Sequence, residues 1–231
     1  MKRAILSLVA VGLCLGLLAR DKFIDSKSFT EWKKGDVMKL LSDSPWAKQQ
    51  TYAHQIAGKG SGVGGEKELF NQYTIRFFSA LPVRHAYLRM MQMMNNYDSM
   101  GADQKLAFDQ KMSSSPLMVG FGDEIIVAGE FATNNRQHQM DADRRLKQVT
   151  ASEFKQSVYL ISDRLGQIQI KGYFPPSPDG SGFKFVFPRT VDGKPVISPE
   201  DKEVTFRWWF DNEIILTFKV KDMMYNGKVE F

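Results

Sequence analysis

Apolar residues recur at spacings of three and four over 83–97, and this period predicts an amphipathic helix. Met90 and Met94 lie on its apolar stripe, whereas Arg89 and Gln92 occupy the polar side. Methionine side chains adapt easily to irregular gaps in a protein interior. We therefore predict that Met90 and Met94 pack in the core beneath this helix.

Local signals indicate three further helices. One spans 37–41 with Asp36 as its N-cap, a second spans 102–112, and a third begins at Gln137 and continues through a polar segment to 150. These helices occupy the first and middle parts of the chain.

Alternating and continuous apolar runs, bounded by turn residues, predict strands. They span 47–57, 69–79, 124–131, 158–161, 167–173, 183–187, 204–210, 213–220, 223–225 and 228–231. Asp211-Asn212 and Asn226-Gly227 are placed to form hairpin turns, and the glycine-rich segment 58–65 to form a loop. The predicted fold is α+β: a mainly antiparallel sheet from the C-terminal half packs against helices from the middle of the chain.

Adjacent tryptophans in a strand point to opposite faces of a sheet. Phe206 and Trp208 alternate with Arg207 and Trp209, so Trp208 is expected in the core and Trp209 on the outer face. Aromatic and arginine side chains are frequent at binding hot spots. Trp209, with Arg207 beside it, is therefore a candidate contact for a protein partner or for a second copy of the chain.

Composition and the N-terminal pattern indicate a globular protein that is exported from the cytoplasm. The 231 residues are 43% hydrophobic and 25% charged, which is typical of a globular protein rather than a disordered one. The chain starts with two basic residues followed by an uncharged apolar run over 4–19, and this pattern predicts a signal peptide at 1–19 that is cleaved after Ala19. The remaining segment, 20–231, is expected to form a single α+β domain in the periplasm or outside the cell.

Two alternatives to cleavage stay open. The apolar run could remain as a membrane anchor, or Cys14 could carry a lipid, although Leu13 is larger than the residue that usually precedes a lipidated cysteine. Otherwise no contact with a membrane is expected. Loss of the leader leaves 29 basic against 26 acidic side chains, and this mild charge argues against a nucleic-acid partner.

Four segments carry a resemblance. They are VMKLLSDSPWAK at 37–48, SALPVR at 79–84 with Ala86, FPR at 187–189 with Gly193 and Pro195, and DMMYNGKVE at 222–230. In this order they resemble a family of exported proteins from soil bacteria, of acidobacterial type, that is grouped near the GWxTD-domain proteins. The Gly-Trp pair of the GWxTD motif is absent from this sequence. The resemblance implies an exported or envelope protein and supplies no catalytic residue.

The methionines are the main compositional signal. Met90, Met91, Met93 and Met94 fall within five residues, and thioether sulfur is a ligand that copper(I) prefers. Core packing is the alternative role for the same side chains, and an adaptable protein-binding surface is a third. The cluster is therefore a candidate copper(I) site as well as a candidate contact surface.

No other motif in the sequence indicates a catalytic, metal-binding or phosphate-binding site. His54, His85 and His138 lack metal-ligand spacing, and the sequence contains no phosphate loop and no nucleophile elbow. Arg84 and Arg189 lie beside proline turns, where each could hold a carboxylate of the protein or of a ligand.

The expected function is therefore a non-enzymatic exported protein that binds an envelope protein or its own kind. No catalytic residue and no cofactor are expected. A periplasmic copper(I)-binding protein and a hydrolase with an unrecognised site are the alternatives.

Overall fold

The structure, a computed structural model, describes residue 24 and residues 26–57, 66–177 and 180–231, without the side chains of 54–57 and 66–68. The predicted signal peptide with Cys14 and the glycine-rich loop lie outside the described residues. Within the described part of the chain, no helix is long and apolar enough to cross a membrane.

The α-helices and strands follow in chain order. The helices are α1 (Lys34–Ser42), α2 (Leu81–Met94), α3 (Ala102–Ser113), α4 (Pro116–Val119), α5 (Arg136–Gln148) and α6 (Ala151–Phe154). The strands are β1 (Ala47–Ala57), β2 (Glu66–Phe77), β3 (Glu124–Thr133), β4 (Val158–Ser162), β5 (Gly166–Gln169), β6 (Gly172–Ser177), β7 (Gly182–Pro188), β8 (Thr190–Val191), β9 (Lys194–Pro195), β10 (Glu203–Trp209), β11 (Glu213–Lys219), β12 (Met224–Tyr225) and β13 (Lys228–Val229).

Two antiparallel sheets pack face to face. The first has the strand order β1-β2-β3-β7-β6, and the second has the order β11-β10-β4-β5. Aromatic rings join them: the ring of Trp208 lies 5.8 Å from that of Tyr73, and the rings of Phe77 and Phe218 are 5.0 Å apart. The α+β class is confirmed, with strands of the C-terminal half dominating the sheets.

Alternation in the second sheet matches the prediction. Phe206 and Trp208 are buried between the sheets, whereas Arg207 and Trp209 point outward. The amide of Gln50 caps the free edge of this sheet, because it accepts the N–H of β11 and donates to a β11 carbonyl. Pairing of an edge strand by a side chain reduces its tendency to recruit another strand.

The opposite face of the first sheet carries α1 and α2. Val37 and Leu40 of α1 and Val83 and Ala86 of α2 are buried against it. At the turn after α1, Trp46 is buried and its indole Nε1 donates to the carbonyl oxygen of Glu230 at 2.8 Å. The second sheet therefore closes one side of the first, and the helices close the other.

Three local predictions need correction. Asp36 is the third residue of α1 rather than its cap, because α1 begins at Lys34 and the Asp36 carboxylate accepts the N–H of Lys33 at 3.0 Å. The predicted strand 167–173 is two strands, β5 in the second sheet and β6 in the first. Arg89 and Gln92 are buried, not solvent-facing, because the segment before α1 covers that side of α2: Arg89 Nε donates to the carbonyl of Trp32 at 3.0 Å.

Candidate functional site: a methionine-lined cleft

A cleft of about 480 Å³ opens between α2, α3, α4 and the helix-covered face of the first sheet. Its volume falls within the range of roughly 300–1,000 Å³ typical of ligand sites. Most of the lining side chains are apolar. The lining residues are Phe78, Tyr87, Met90, Met91, Met94, Asn95, Met112, Ser115, Pro116, Leu117, Phe121, Ser181 and Lys184.

The methionine prediction is partly wrong. Met94 does not pack in the core: it is the last residue of α2 and is 75% exposed. Met90 is partly buried against the core and also lines the cleft, together with Met91. Met93 is absent from the lining and packs partly against the core instead.

Arg84 holds the wall of the cleft in place. Its guanidinium donates to the backbone carbonyls of Ser79, Leu117 and Met118 at 3.0–3.1 Å, so it ties the short helix α4 to the start of α2. Burial lowers the pKa of this guanidinium. Its partners are backbone carbonyls, not the carboxylate that the sequence suggested. Arg189 likewise donates to backbone oxygens, at Glu124 and Phe231.

A second, more polar cleft of about 400 Å³ adjoins the first and shares Tyr87 and Met90 with it. Arg76 is buried at this cleft and donates to the hydroxyl of Tyr87 at 2.5 Å and to the carboxylate of Glu130 at 2.7 Å. Burial opposes the charge of Arg76, but Tyr87 and Glu130 outweigh it and raise the pKa of the guanidinium. The Arg76 contacts therefore fix Tyr87, a side chain common to both clefts.

Helix α3 closes the cleft loosely. Met112 is the buried residue of α3, whereas Leu106 on the same helix is largely exposed. Beside it, α4 leaves Met118 and Val119 exposed. Exposed apolar side chains of this size, grouped around a concave apolar site, are typical of an interaction surface.

The histidines do not converge on a metal site. His85 stacks on Phe29 with ring centroids 4.4 Å apart, and burial, aided by Arg84, lowers the pKa of His85 to about 4. His138 pairs with Asp211 at 2.7 Å, and the side chain of His54 lies outside the described residues. Among the described residues, no group of three His, Cys, Asp or Glu side chains could hold a metal ion.

Trp209 lies where the alternation predicts. It is 58% exposed on the outer face of the second sheet, and the helices of the middle of the chain do not cover it. Arg207 shares this face, but its Nε donates to Glu213 at 2.8 Å, so part of its hydrogen-bonding capacity is used internally.

Sequence reasoning missed Lys184, Phe78 and Phe121 as members of the cleft. They come from segments far apart in the chain, and no local period relates them to α2. A weak signal existed for Lys184, which stands between two core phenylalanines of β7 and must therefore face the opposite side of the sheet.

No protein-family model, curated protein or solved structure matches this chain. The functional assignment therefore depends on the chemistry of the clefts and exposed surfaces described above.

Proposed function

We propose that this protein is a non-enzymatic, exported binding protein whose methionine-lined cleft holds an apolar segment of another envelope protein. The observation that carries the proposal is the cleft itself, with three methionines of α2 and Met112 of α3 lining one concavity. Export is supported by the N-terminal sequence pattern, and the resemblance to exported bacterial proteins agrees with it.

Exposed apolar side chains at the edge of the cleft and beyond it favour a protein segment over a small ligand. Met94, Val119 and Phe174 are 75%, 69% and 58% exposed. Met94 and Val119 belong to the helices that form the cleft, and Phe174 lies opposite the cleft residue Lys184 in the register of β6 and β7. A ligand enclosed by the cleft would leave Val119 and Phe174 in water, whereas a longer segment would cover them.

Methionine suits this role for a physical reason. Its unbranched side chain has several rotatable bonds and a polarizable sulfur, so a methionine surface can adapt to different apolar partners. Of the histidines with described side chains, His138 contacts Asp211 and Phe131.

Site-specific photo-cross-linking in the producing cell tests the proposal. A benzoylphenylalanine at position 94 is expected to give a discrete adduct with one envelope protein. The matched control is position 140, where Met140 is also exposed but lies on α5, away from both clefts.

Two results would contradict the proposal. Equal adducts at both positions would show that exposure, not the cleft, determines cross-linking. Recovery of a stoichiometric acyl lipid from the purified exported protein, detected by mass spectrometry, would show that the cleft holds a lipid instead.

Copper(I) binding is the second candidate, because the thioethers of Met90, Met91, Met94 and Met112 line the same concavity. Exchange of these four for leucine separates the two candidates. It removes the thioethers that line the cleft and keeps an apolar lining, so tight anaerobic copper(I) uptake would disappear while binding of an apolar segment would persist.

Self-association through Trp209 remains a further proposal. Trp209 and Ile215 are both exposed on the outer face of the second sheet, which the described residues leave uncovered. Sizing of the Trp209→Ala variant in solution tests it, since loss of the indole should lower the mass if Trp209 mediates self-association.

A further inference from the structure

Met94 presents the most exposed thioether among the methionines that line the cleft. Its side chain is 75% exposed at the end of α2, whereas Met112 on α3 is buried, with only 8% exposed. Met90 and Met91 are partly exposed and lie between these extremes. The cleft therefore has an accessible sulfur at its edge and a protected one in its α3 wall.

We infer that Met94 is an oxidation site, where a peroxide forms a methionine sulfoxide that expels the bound apolar segment. The inference rests on the proposed function and names a regulation of the same cleft. Peroxides reach exposed thioethers before buried ones, and dedicated reductases return the sulfoxide to the thioether. The modification is therefore reversible, as control of binding requires.

The reaction transfers one oxygen atom to the sulfur of Met94. A lone pair of the sulfur attacks one oxygen of hydrogen peroxide, so that an S–O bond forms and the O–O bond breaks. The hydroxide that leaves takes the proton from the transferred oxygen and departs as water. The sulfur loses two electrons and the peroxide gains them, so the peroxide is the only co-reactant required.

Oxidation changes the polarity of the surface that an apolar segment has to cover. The sulfoxide oxygen is a hydrogen-bond acceptor, and water solvates it while the cleft is open. A segment that covers Met94 removes this water and supplies no donor in exchange, which opposes binding. Because Met94 is the last residue of α2 and lies largely outside the core, its oxidation should leave the fold intact.

Met140 provides a comparison within the same chain. It is 56% exposed on α5 and lines neither cleft. It should therefore react with peroxide much as Met94 does, but its sulfoxide should have no effect on binding in the cleft.

Limited oxidation followed by a binding assay tests the inference. The purified protein is treated with hydrogen peroxide, catalase removes the excess, and peptide mass spectrometry measures the sulfoxide at each methionine. The dye N-phenyl-1-naphthylamine, whose fluorescence rises in apolar sites, then reports the affinity of the cleft. Met94 should be oxidised well before Met112, and the affinity for the dye should fall about fivefold or more once Met94 is oxidised. Methionine sulfoxide reductases should restore the affinity.

Two leucine variants identify the residue responsible. Met94→Leu keeps an apolar side chain that peroxide does not oxidise, so its affinity for the dye should be nearly the same before and after treatment. Met140→Leu should lose affinity on oxidation as the unmodified protein does.

Failure of the inference and failure of the proposed function are distinguishable. Unchanged affinity after full oxidation of Met94, or an equal loss of affinity in Met94→Leu, would overturn the inference and leave the cleft intact. Loss of the native circular dichroism signal on oxidation of Met94 would also overturn it, because the effect would then be unfolding. Absence of dye binding by the untreated protein would overturn the proposed function itself.

Discussion

Truncation of Trp208 should destabilise the fold strongly and truncation of Trp209 only slightly, although the two residues are neighbours in β10. Trp208 is fully buried, and its ring lies 4.9 Å from that of Phe210, 5.0 Å from that of Phe183 and 5.8 Å from that of Tyr73. These partners come from the first sheet and from the β10–β11 turn, so Trp208 of the second sheet fills the space between the sheets. Trp208→Ala therefore leaves a large cavity at the centre of the sandwich.

The expected magnitudes follow from burial. Truncation of a buried aromatic side chain lowers the free energy of unfolding by about 3–5 kcal/mol. For a domain of this size the corresponding fall in melting temperature is about 10 °C. Trp209→Ala removes an exposed side chain and should change the free energy of unfolding by about 1 kcal/mol or less.

Urea unfolding followed by circular dichroism measures both variants, and light scattering after gel filtration measures their mass in solution. If Trp209 mediates self-association, Trp209→Ala reduces the mass without a large loss of stability. Equal destabilisation by the two substitutions, with assembly unchanged, would refute the reasoning and assign Trp209 to the core.

Three further predictions concern the fold around the site. The pKa of His85 is about 4 in the folded state against 6.5 for an ordinary histidine, so the unfolded state takes up a proton first as the pH falls. Stability should therefore drop by about 2 kcal/mol between pH 6.5 and 4, allowing for partial exposure, and His85→Gln should lack this part of the loss in pH-dependent urea titrations. Gly129→Ala would place a Cβ atom 2.2 Å from the ring of Phe183 and should destabilise by about 1–3 kcal/mol, whereas Gly35→Ala, with open space around it in α1, should stabilise slightly in the same thermal melts. Arg84→Met should release α4 and increase hydrogen exchange of its amides, and unchanged protection there would contradict the role given to Arg84.

Short-range signals predicted most of the sheet elements. The Asn226-Gly227 turn is a clear case, because both residues adopt positive φ, at 50° and 75°, as a two-residue hairpin turn requires. The alternation around Trp208 was sufficient to assign both faces of β10. Such predictions succeed because the deciding interactions lie within a few residues of one another.

The predictions for the strand 167–173 and for Arg89 were wrong because long-range packing decides both. The apolar pattern over 167–173 cannot show that the chain leaves one sheet after Gln169 and joins the other at Gly172. Likewise, the polar side chain of Arg89 gives no local sign that an earlier segment will cover it and offer the carbonyl of Trp32. The carboxylate of Asp98, just after α2, is its second partner.

The candidate site was also predicted only in part, because its residues are brought together by long-range packing. The sequence singled out the methionines of α2, but their shared concavity depends on where α3 and α4 pack. Met112 and Lys184 join the cleft from segments about 20 and 90 residues beyond α2, a juxtaposition that only the tertiary fold produces. Periodicity in the sequence could therefore single out the methionines, but it could not locate the cleft that they line.

Methyl NMR of methionine tests the central claim most directly. The protein is labelled with ¹³C at the methionine methyl groups, and N-phenyl-1-naphthylamine, a neutral dye that binds apolar sites, is added as the apolar probe. The resonances expected to shift are those of Met90, Met91, Met94 and Met112. The resonance of exposed Met140 on α5 should stay unchanged. Selective shifts of the cleft methionines are the result that the account predicts. Equal shifts at Met140, or no shift at the four cleft positions at saturating probe, would contradict it.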